Sequence, residues 1–538
     1  MLGAKDLIKL YSELDNSTER QNFKIIWQEI NDFILPRKNN VTVKQTKGAR
    51  RTERMQEGTA PHSAGLLAAT LQGSLTSNSV FWFNIRMQDK ELNENEDVKA
   101  WLDDSTRRMY NAFNDSNFRI EIHEMFTDVV TVATACMLTE KALPSSENIL
   151  NFRSYFVGDD FLIRENAQGY VDTVIRKVCF SARQAYELFG DDAGKSVLKA
   201  VKDAPNEEFD FIHVTMPIAE YSKTRQGFGN DLWEYTDIYV GLDDEVITKK
   251  SGYFEFPYIV PRWSKASGEM YGRSPSFVAL PDIRTLNAAT SYMQQAWAKD
   301  IKPSRLVPEG LGVDIDDVPG TNIPVPAHLI EAIQKGALTS NARWEVSVEE
   351  REQLRTAIKE CYFTDQIQLQ KQAQMTATES SIIFELMQRL LGPVFGRLET
   401  QLAPMVERAF GIMLRAGELL PVPEVIDEGQ LNIEYVGPLA RSQRASEVNA
   451  MRQWLEQLMQ MASISPDIID IPDFDEIARD SARILNVNER FVRSEDEIAE
   501  RREAREQQAQ DAQTTEEASV AADAYAKIAK VGGGQGGI

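Results

Sequence analysis

Between Leu280 and Gln374 the chain reads as helix, proline-rich excursion, helix and polar loop, and this stretch constrains the fold more than any other. Ile283, Leu286, Thr290, Met293 and Trp297 are spaced 3, 4, 3, 4. That spacing draws one narrow apolar stripe, the pattern of a helix packed against similar helices. Pro303, Pro308, Pro319, Pro324 and Pro326 then forbid a continuing helix. Ser347 and Glu350 have the spacing of a capping box and predict the start of a second helix, with Leu354, Ile358 and Cys361 on one side. A glutamine-rich run from Gln366 to Gln374 follows, interrupted by Lys371. Thr376 and Glu379 make another capping box, which opens a long helix striped by Ile382, Leu386, Leu390, Val394, Leu398, Leu402 and Met405. Pro393 and Pro404 are expected to kink it, and Gly417 and Pro421 to end it. On spacing alone this is a helical hairpin with a long loop.

The flanking regions set the fold class. Residues 5–35 read as helix up to Pro36, and 37–54 as a basic solvated loop with Lys44, Lys47, Arg50, Arg51 and Arg54. Ala64 to Leu75 is a small-residue helix, and Phe81 to Ile85 is strand-like. Helices are predicted from Asp97 to Asn114 and from Arg119 to Leu138. Strands alternate with turns from Phe152 to Phe180, resume from Phe209 to Val246, and include Phe254 to Val260. Residues 431–436 are extended and 440–486 helical; Ser494 and Glu497 open a charged helix reaching about Lys530, with a glycine tail beyond. The class is α+β, predominantly α-helical.

Composition narrows the function. No apolar run approaches the ~18 residues that span a bilayer, and Met1 to Leu10 lacks an apolar signal core. Three scattered cysteines, Cys136, Cys179 and Cys361, point to a reducing compartment with no disulfide framework. The net charge of −23 argues against an outer surface that grips nucleic acid, though not against one past which a polyanion slides.

Catalytic chemistry was sought and has little support. His62, His123, His213 and His328 lie far apart with no metal-binding spacing. Gly272 to Ser276 fails the nucleophile-elbow pattern. Asp314, Asp316 and Asp317 begin like a calcium loop, but Pro319 and Val325 stand where it needs glycine and glutamate. Gly190 to Ser196 resembles a phosphate loop with one residue too few between its glycines and with Asp191 and Asp192 in the cradle, so a helix end and turn is expected. No cofactor, metal or catalytic residue is predicted.

Several stretches in order resemble the portal, or head-to-tail connector, proteins of short-tailed, T7-like bacteriophages. They are Trp82 in FWF, Met270 to Pro275, Leu280 to Asn287, Met375 to Glu379, Leu391 to Phe395 and Tyr435 to Arg441. The resemblance implies a structural, non-enzymatic subunit of a ring of about twelve copies at one capsid vertex, through which double-stranded DNA is packaged and ejected. It implies a wing (1–270), a stem helix (271–300), a clip (301–346), a second stem helix (347–368), a tunnel loop (369–375), a long kinked wing helix (376–430), a crown (431–490) and a C-terminal helical barrel with a flexible tail (491–538). Stem packing would fall to Ile283, Leu286, Met293, Trp297, Leu354 and Ile358. The DNA-facing loop would be Gln366, Gln368, Gln370, Lys371, Gln372 and Gln374, and the clip docking surface Pro308, Glu309, Asp314, Asp316 and Asp317. Implied partners are further copies of the chain, the terminase large subunit, head–tail adaptor and tail proteins, major capsid and scaffolding proteins, and internal core proteins. The implied place is the virion's portal vertex, after assembly in the host cytoplasm. The rival readings are a packaging ATPase, which needs a phosphate loop following a strand, and a scaffold or tail adaptor without a DNA channel.

Overall fold

The computed structural model describes residues 1–301 except 39, 45, 47, 78–80, 88, 90–94, 144, 159 and 223–227, together with 305–308, 322–326, 328, 344–368, 377–423, 426, 431–435, 438–462, 471–484, 493, 498, 501–505 and 507–508. At 305–308, 322–325, 344–347, 366, 368, 377–389, 431–435 and 438–447 the backbone alone is described. The chain divides into two compact units, Met1–Pro438 and Leu439–Ile538. The architecture is α+β with helix predominating.

The first unit is built round a five-stranded antiparallel sheet of β4 (Phe161–Glu165), β5 (Val171–Ser181), β6 (Glu208–Thr215), β7 (Tyr235–Gly241) and β8 (Val246–Tyr253), in that order. Alternation along its strands loads both faces. Leu162, Ile175, Ile212, Val214, Ile238 and Val240 form one core with Leu7 of α1 (Ala4–Asp15). Phe209 and Phe211 point the other way, onto Ala182, Ala185, Phe189 and Val197 of α6 (Ala182–Phe189) and α7 (Lys195–Asp203). Helix α7 explains the phosphate-loop look-alike. The N–H and hydroxyl of Ser196 both donate to the Asp244 carboxylate, at 2.9 and 2.7 Å, so an acidic side chain occupies that helix start.

A smaller sheet, β3-β2-β9, pairs β2 (Ala135–Lys141) with β3 (Leu150–Phe156) and β9 (Tyr258–Ile259). A buried polar chain joins it to the large sheet. Arg176 of β5 donates to the Tyr258 hydroxyl at 2.6 Å, and His213 of β6 lies 2.9 Å from that hydroxyl and 2.9 Å from Asp237 of β7. Burial, opposed by the Asp237 hydrogen bond, pushes the His213 pKa down to about 4. Asp237 stays far below the ordinary carboxyl range although burial opposes it, because His213, Lys249 and Ser251 all bond it.

Two sequence expectations are corrected here. The helical run 5–35 is two helices, α1 and α2 (Thr18–Phe33), because Asn16 and Ser17 bond back to the preceding turn and end the first. The helix expected from Arg119 to Leu138 stops early: α5 (Phe118–Thr131) ends, Ala133 turns at φ +67°, and Ala135 opens β2. The continuous apolar run there suits a buried strand as well as a helix.

Helix α3 (Thr59–Leu75) packs on α5, and α4 (Glu96–Asp115) covers β1 (Phe83–Met87). Trp82, Phe83, Tyr110, Phe113, Phe118 and Phe152 form one aromatic cluster, in which Tyr110 accepts the Phe83 N–H at 2.8 Å. Strand β1 pairs antiparallel with β12 (Leu431–Tyr435), so the segment that opens the expected crown shares a sheet with residues 83–87. A 40-residue helix, Ala377–Ala416, continues through Pro393 and Pro404. Arg408 fixes it by donating to the carbonyls of Thr139 and Glu255, at 2.8 and 3.1 Å. It ends in a Schellman motif: Gly417 at φ +77° bonds to the Leu414 carbonyl, and the Glu418 N–H bonds to that of Met413. The basic segment 37–54 is tied down by ion pairs as well as solvated. Arg37 and Lys38 bind Glu124, Lys38 also binds Asp128 at 2.6 Å, and Arg54 binds Asp32.

The second unit contains the helices Pro438–Ala462 and Phe474–Ile484, in contact at Met451 and Ser481, and an ion pair between Arg502 and Asp475.

Candidate functional site: the helix pair and its junction with the body

Two helices frame the proline-rich segment. Helix α9 (Pro275–Ile301) starts with proline at its first position, where the missing N–H costs nothing. Its partner, Trp344–Cys361, begins one turn before the expected cap at Ser347, which therefore lies inside the helix. Ser276, at the start of α9, meets Tyr362, just past the end of the partner, so the two run antiparallel. Ile283, Leu286 and Ile358 are buried in the seam between them. Leu354 and Met293 are half-buried, and Trp297 is 62% exposed at the far end. The predicted stripe therefore packs within the chain along its first half, while its last member faces solvent.

The residues from 270 to 276 weld this pair to the body. Ser274 and Ser276 donate to the carbonyls of Thr131 and Val130, at 2.6 and 2.9 Å, satisfying two of the orphan acceptors at the end of α5. The Gly272 N–H donates to Thr134. A Cβ at Gly272 would stand 2.6 Å from the Ala133 carbonyl oxygen, so only glycine lets the chain pass there. The Tyr271 hydroxyl accepts from buried Arg20, which also donates to Asp15 and to the Val157 carbonyl.

A second clasp sits higher on the pair. Asn287 of α9 accepts the backbone N–H groups of Gln56 and Glu57, at 2.8 and 3.1 Å. The Glu57 carboxylate binds Arg355 of the partner helix at 2.7 Å. Although burial opposes it, the Arg355 guanidinium holds the Glu57 pKa below the ordinary carboxyl value. One turn of chain thus grips both helices. Sequence reasoning missed this clasp, because the capping-like Glu57-Gly58-Thr59 is separated from both helices by more than two hundred residues.

Between the helices, β10 (Arg305–Pro308) and β11 (Asn322–Val325) form a short parallel pair, with Pro308 at the end of β10. Glu309, Asp314, Asp316 and Asp317 lie outside the described residues. Beyond the pair, Phe363 turns at φ +56° into a short helix, Thr364–Gln368, which carries Gln366 and Gln368. Gln370, Lys371, Gln372 and Gln374 lie outside the described residues, as do Ser494 and Glu497.

Among the described residues, no three His, Cys, Asp or Glu side chains are grouped to hold a metal ion, and no helix is long and apolar enough to cross a membrane. The most perturbed acid near the junction is Asp128, which burial raises to about 6 against the pull of Lys38. It serves an ion pair that holds the 37–54 segment in place.

The family of bacteriophage head-to-tail connecting proteins matches residues 4–492. The chain is 29% identical over 524 residues to a protein named probable portal protein from Bordetella phage BPP-1, covering 96% of this chain and 93% of that one. It is 24% identical over 479 residues to the portal protein of Salmonella phage epsilon15, covering 87% and 85%. This family is structural rather than catalytic. The chain therefore belongs to the bacteriophage head-to-tail connecting proteins, structural components of the virion with capsid and tail proteins as neighbours.

Proposed function

We propose that this chain is the subunit of a portal ring of about twelve copies at one capsid vertex, the channel through which double-stranded DNA is packaged and ejected. The observation that carries this reading is the antiparallel pair Pro275–Ile301 and Trp344–Cys361. It is anchored at its base by Ser276, Tyr362, Asn287 and Arg355, and it brackets a long proline-rich excursion. Such a pair forms a rigid stem, and the excursion is a clip held away from the body. In this reading residues 1–270 and the helix Ala377–Ala416 make the wing, and 369–375 the tunnel loop. The helices from 438 to about 490 make the crown, and 491–538 the barrel helix and tail. The clip docks the terminase motor during packaging and the tail adaptor afterwards; capsid, scaffolding and internal core proteins contact the rest.

The electrostatics support a passage for DNA. A wall carrying net negative charge repels phosphates from every side and leaves a duplex free to slide. Glutamines in the tunnel loop offer neutral hydrogen bonds, and Lys371 adds one positive charge per copy. Negative-stain images of the purified full-length chain test the reading. Rings with a central hole are expected. Particles without a hole across a range of protein and salt concentrations would refute it.

A further inference from the structure

We propose that the outward stripe of α9 is the surface on which a second copy of this chain packs; the inference rests on the ring reading above. The inner seam of α9 is already filled by its own partner helix. On the opposite side Val278, Pro281, Thr285, Ala288, Tyr292 and Gln295 are all exposed, with Val278 at 72% and Tyr292 at 70%. They are spaced 3, 4, 3, 4, 3, and none is charged. The stripe is about 25 Å long at the rise of a helix. A heptad-spaced, uncharged line of this kind is the seam of a second helix crossing at a shallow angle, not a solvated face.

Charge identifies the occupant. Each chain carries a net charge of −23, so two copies repel unless they meet on a neutral surface. The exposed face of the helix Trp344–Cys361 does not qualify, because it shows Glu349, Glu352 and Glu360. Two such faces brought together would set carboxylates against carboxylates. The α9 stripe is the stem surface on which like-charged copies can close, with small residues at its centre and Tyr292 as a knob. Packing in a ring is head-to-tail, so the stripe meets a different helical surface of the neighbour rather than its own image. The acidic face is left free for water or for the channel.

The test uses the full-length chain. Ala288→Glu and Tyr292→Glu place a charge in the stripe, and Thr356→Glu places one on the exposed face of the partner helix. Ring fraction is read by size-exclusion chromatography and negative stain, and folding by circular dichroism and thermal melting. The first two variants are expected to lower the ring fraction at least ten-fold with an unchanged monomer melt, while Thr356→Glu assembles like wild type. In parallel, a photo-crosslinking phenylalanine at position 292 of the otherwise unchanged chain is expected to give a ladder of covalent oligomers, and one at Gln353 none. If wild type forms rings and both stripe variants do too, the seam assignment is wrong while the ring stands. If wild type forms no ring, both readings fall. Should the charged variants misfold, the crosslink decides: no ladder from position 292 overturns the assignment.

Discussion

Ser276 and Tyr362 should contribute unequally to the junction between the helix pair and the body. Ser276 has one hydroxyl proton and gives it to the Val130 carbonyl at 2.9 Å. The Tyr362 hydroxyl, 2.8 Å away, must therefore be the donor to Ser276. Both side chains are buried. Tyr362→Phe removes one neutral hydrogen bond and leaves Ser276 still bonded, a loss of about 1 kcal/mol. Ser276→Ala strands two groups at once, the Val130 carbonyl and the Tyr362 hydroxyl. At ~1–2 kcal/mol for each unsatisfied buried group, it should cost about 3 kcal/mol. In the double variant the stranded hydroxyl no longer exists, so its cost should fall back to ~2–3 kcal/mol, short of the ~4 that addition would give. Urea denaturation of the purified chain, followed by tryptophan fluorescence and fitted with a common slope, measures all three. The reasoning fails if Tyr362→Phe is as damaging as Ser276→Ala, or if the two effects simply add.

Other predictions address DNA, docking and pH. Lys371→Glu should leave rings intact and reduce DNA packaging or retention, most at low salt, with Lys371→Gln milder; filled heads that hold their genomes like wild type at every salt concentration would remove the residue from the DNA path. Deleting 309–320 should leave folded, ring-forming subunits that no longer bind the terminase motor, and normal packaging by that deletion would contradict the clip's docking role. His213 has a folded pKa of about 4, below the ~6.5 of an unfolded histidine, so as pH falls the unfolded chain takes a proton that the folded chain refuses. Its contribution should be complete above about pH 6.5 and decline towards pH 4, by an amount on the order of 3 kcal/mol. His213→Gln should flatten the denaturation midpoint across that window, and a variant that keeps the wild-type slope would show that other groups set it.

The helix pair was legible because Ile283, Leu286 and Ile358 are strongly apolar at helical spacing and the prolines between the helices admit one interpretation. The outward stripe on the same helix was not. Pro281, Thr285 and Ala288 look unremarkable alone, and only their exposure opposite a filled seam gives them meaning. The break after Thr131 was hidden by apolar residues on both sides of it, and the determinants lie far off in sequence, at Ser274 and Ser276. The basic segment 37–54 shows positive charge in the sequence, but Glu124 and Asp128, which neutralise part of it, sit on a helix some eighty residues later. Local chemistry was thus readable, while pairings between distant segments waited for the fold.

The antiparallel pairing of β1 with β12 sets a timetable for making the protein. Phe83 leaves the ribosome early, yet the strand that completes its sheet ends at Tyr435. At ~5–20 residues per second, roughly 20–70 s pass before that partner has been made. During the interval the aromatic cluster around Trp82 has an open edge, and the first unit stays unfinished. Closing so long a loop is slow in its own right. A nascent chain therefore cannot present a finished body until almost all of its first unit exists. Assembly is thereby delayed until each subunit is nearly whole, which guards against rings built from truncated copies.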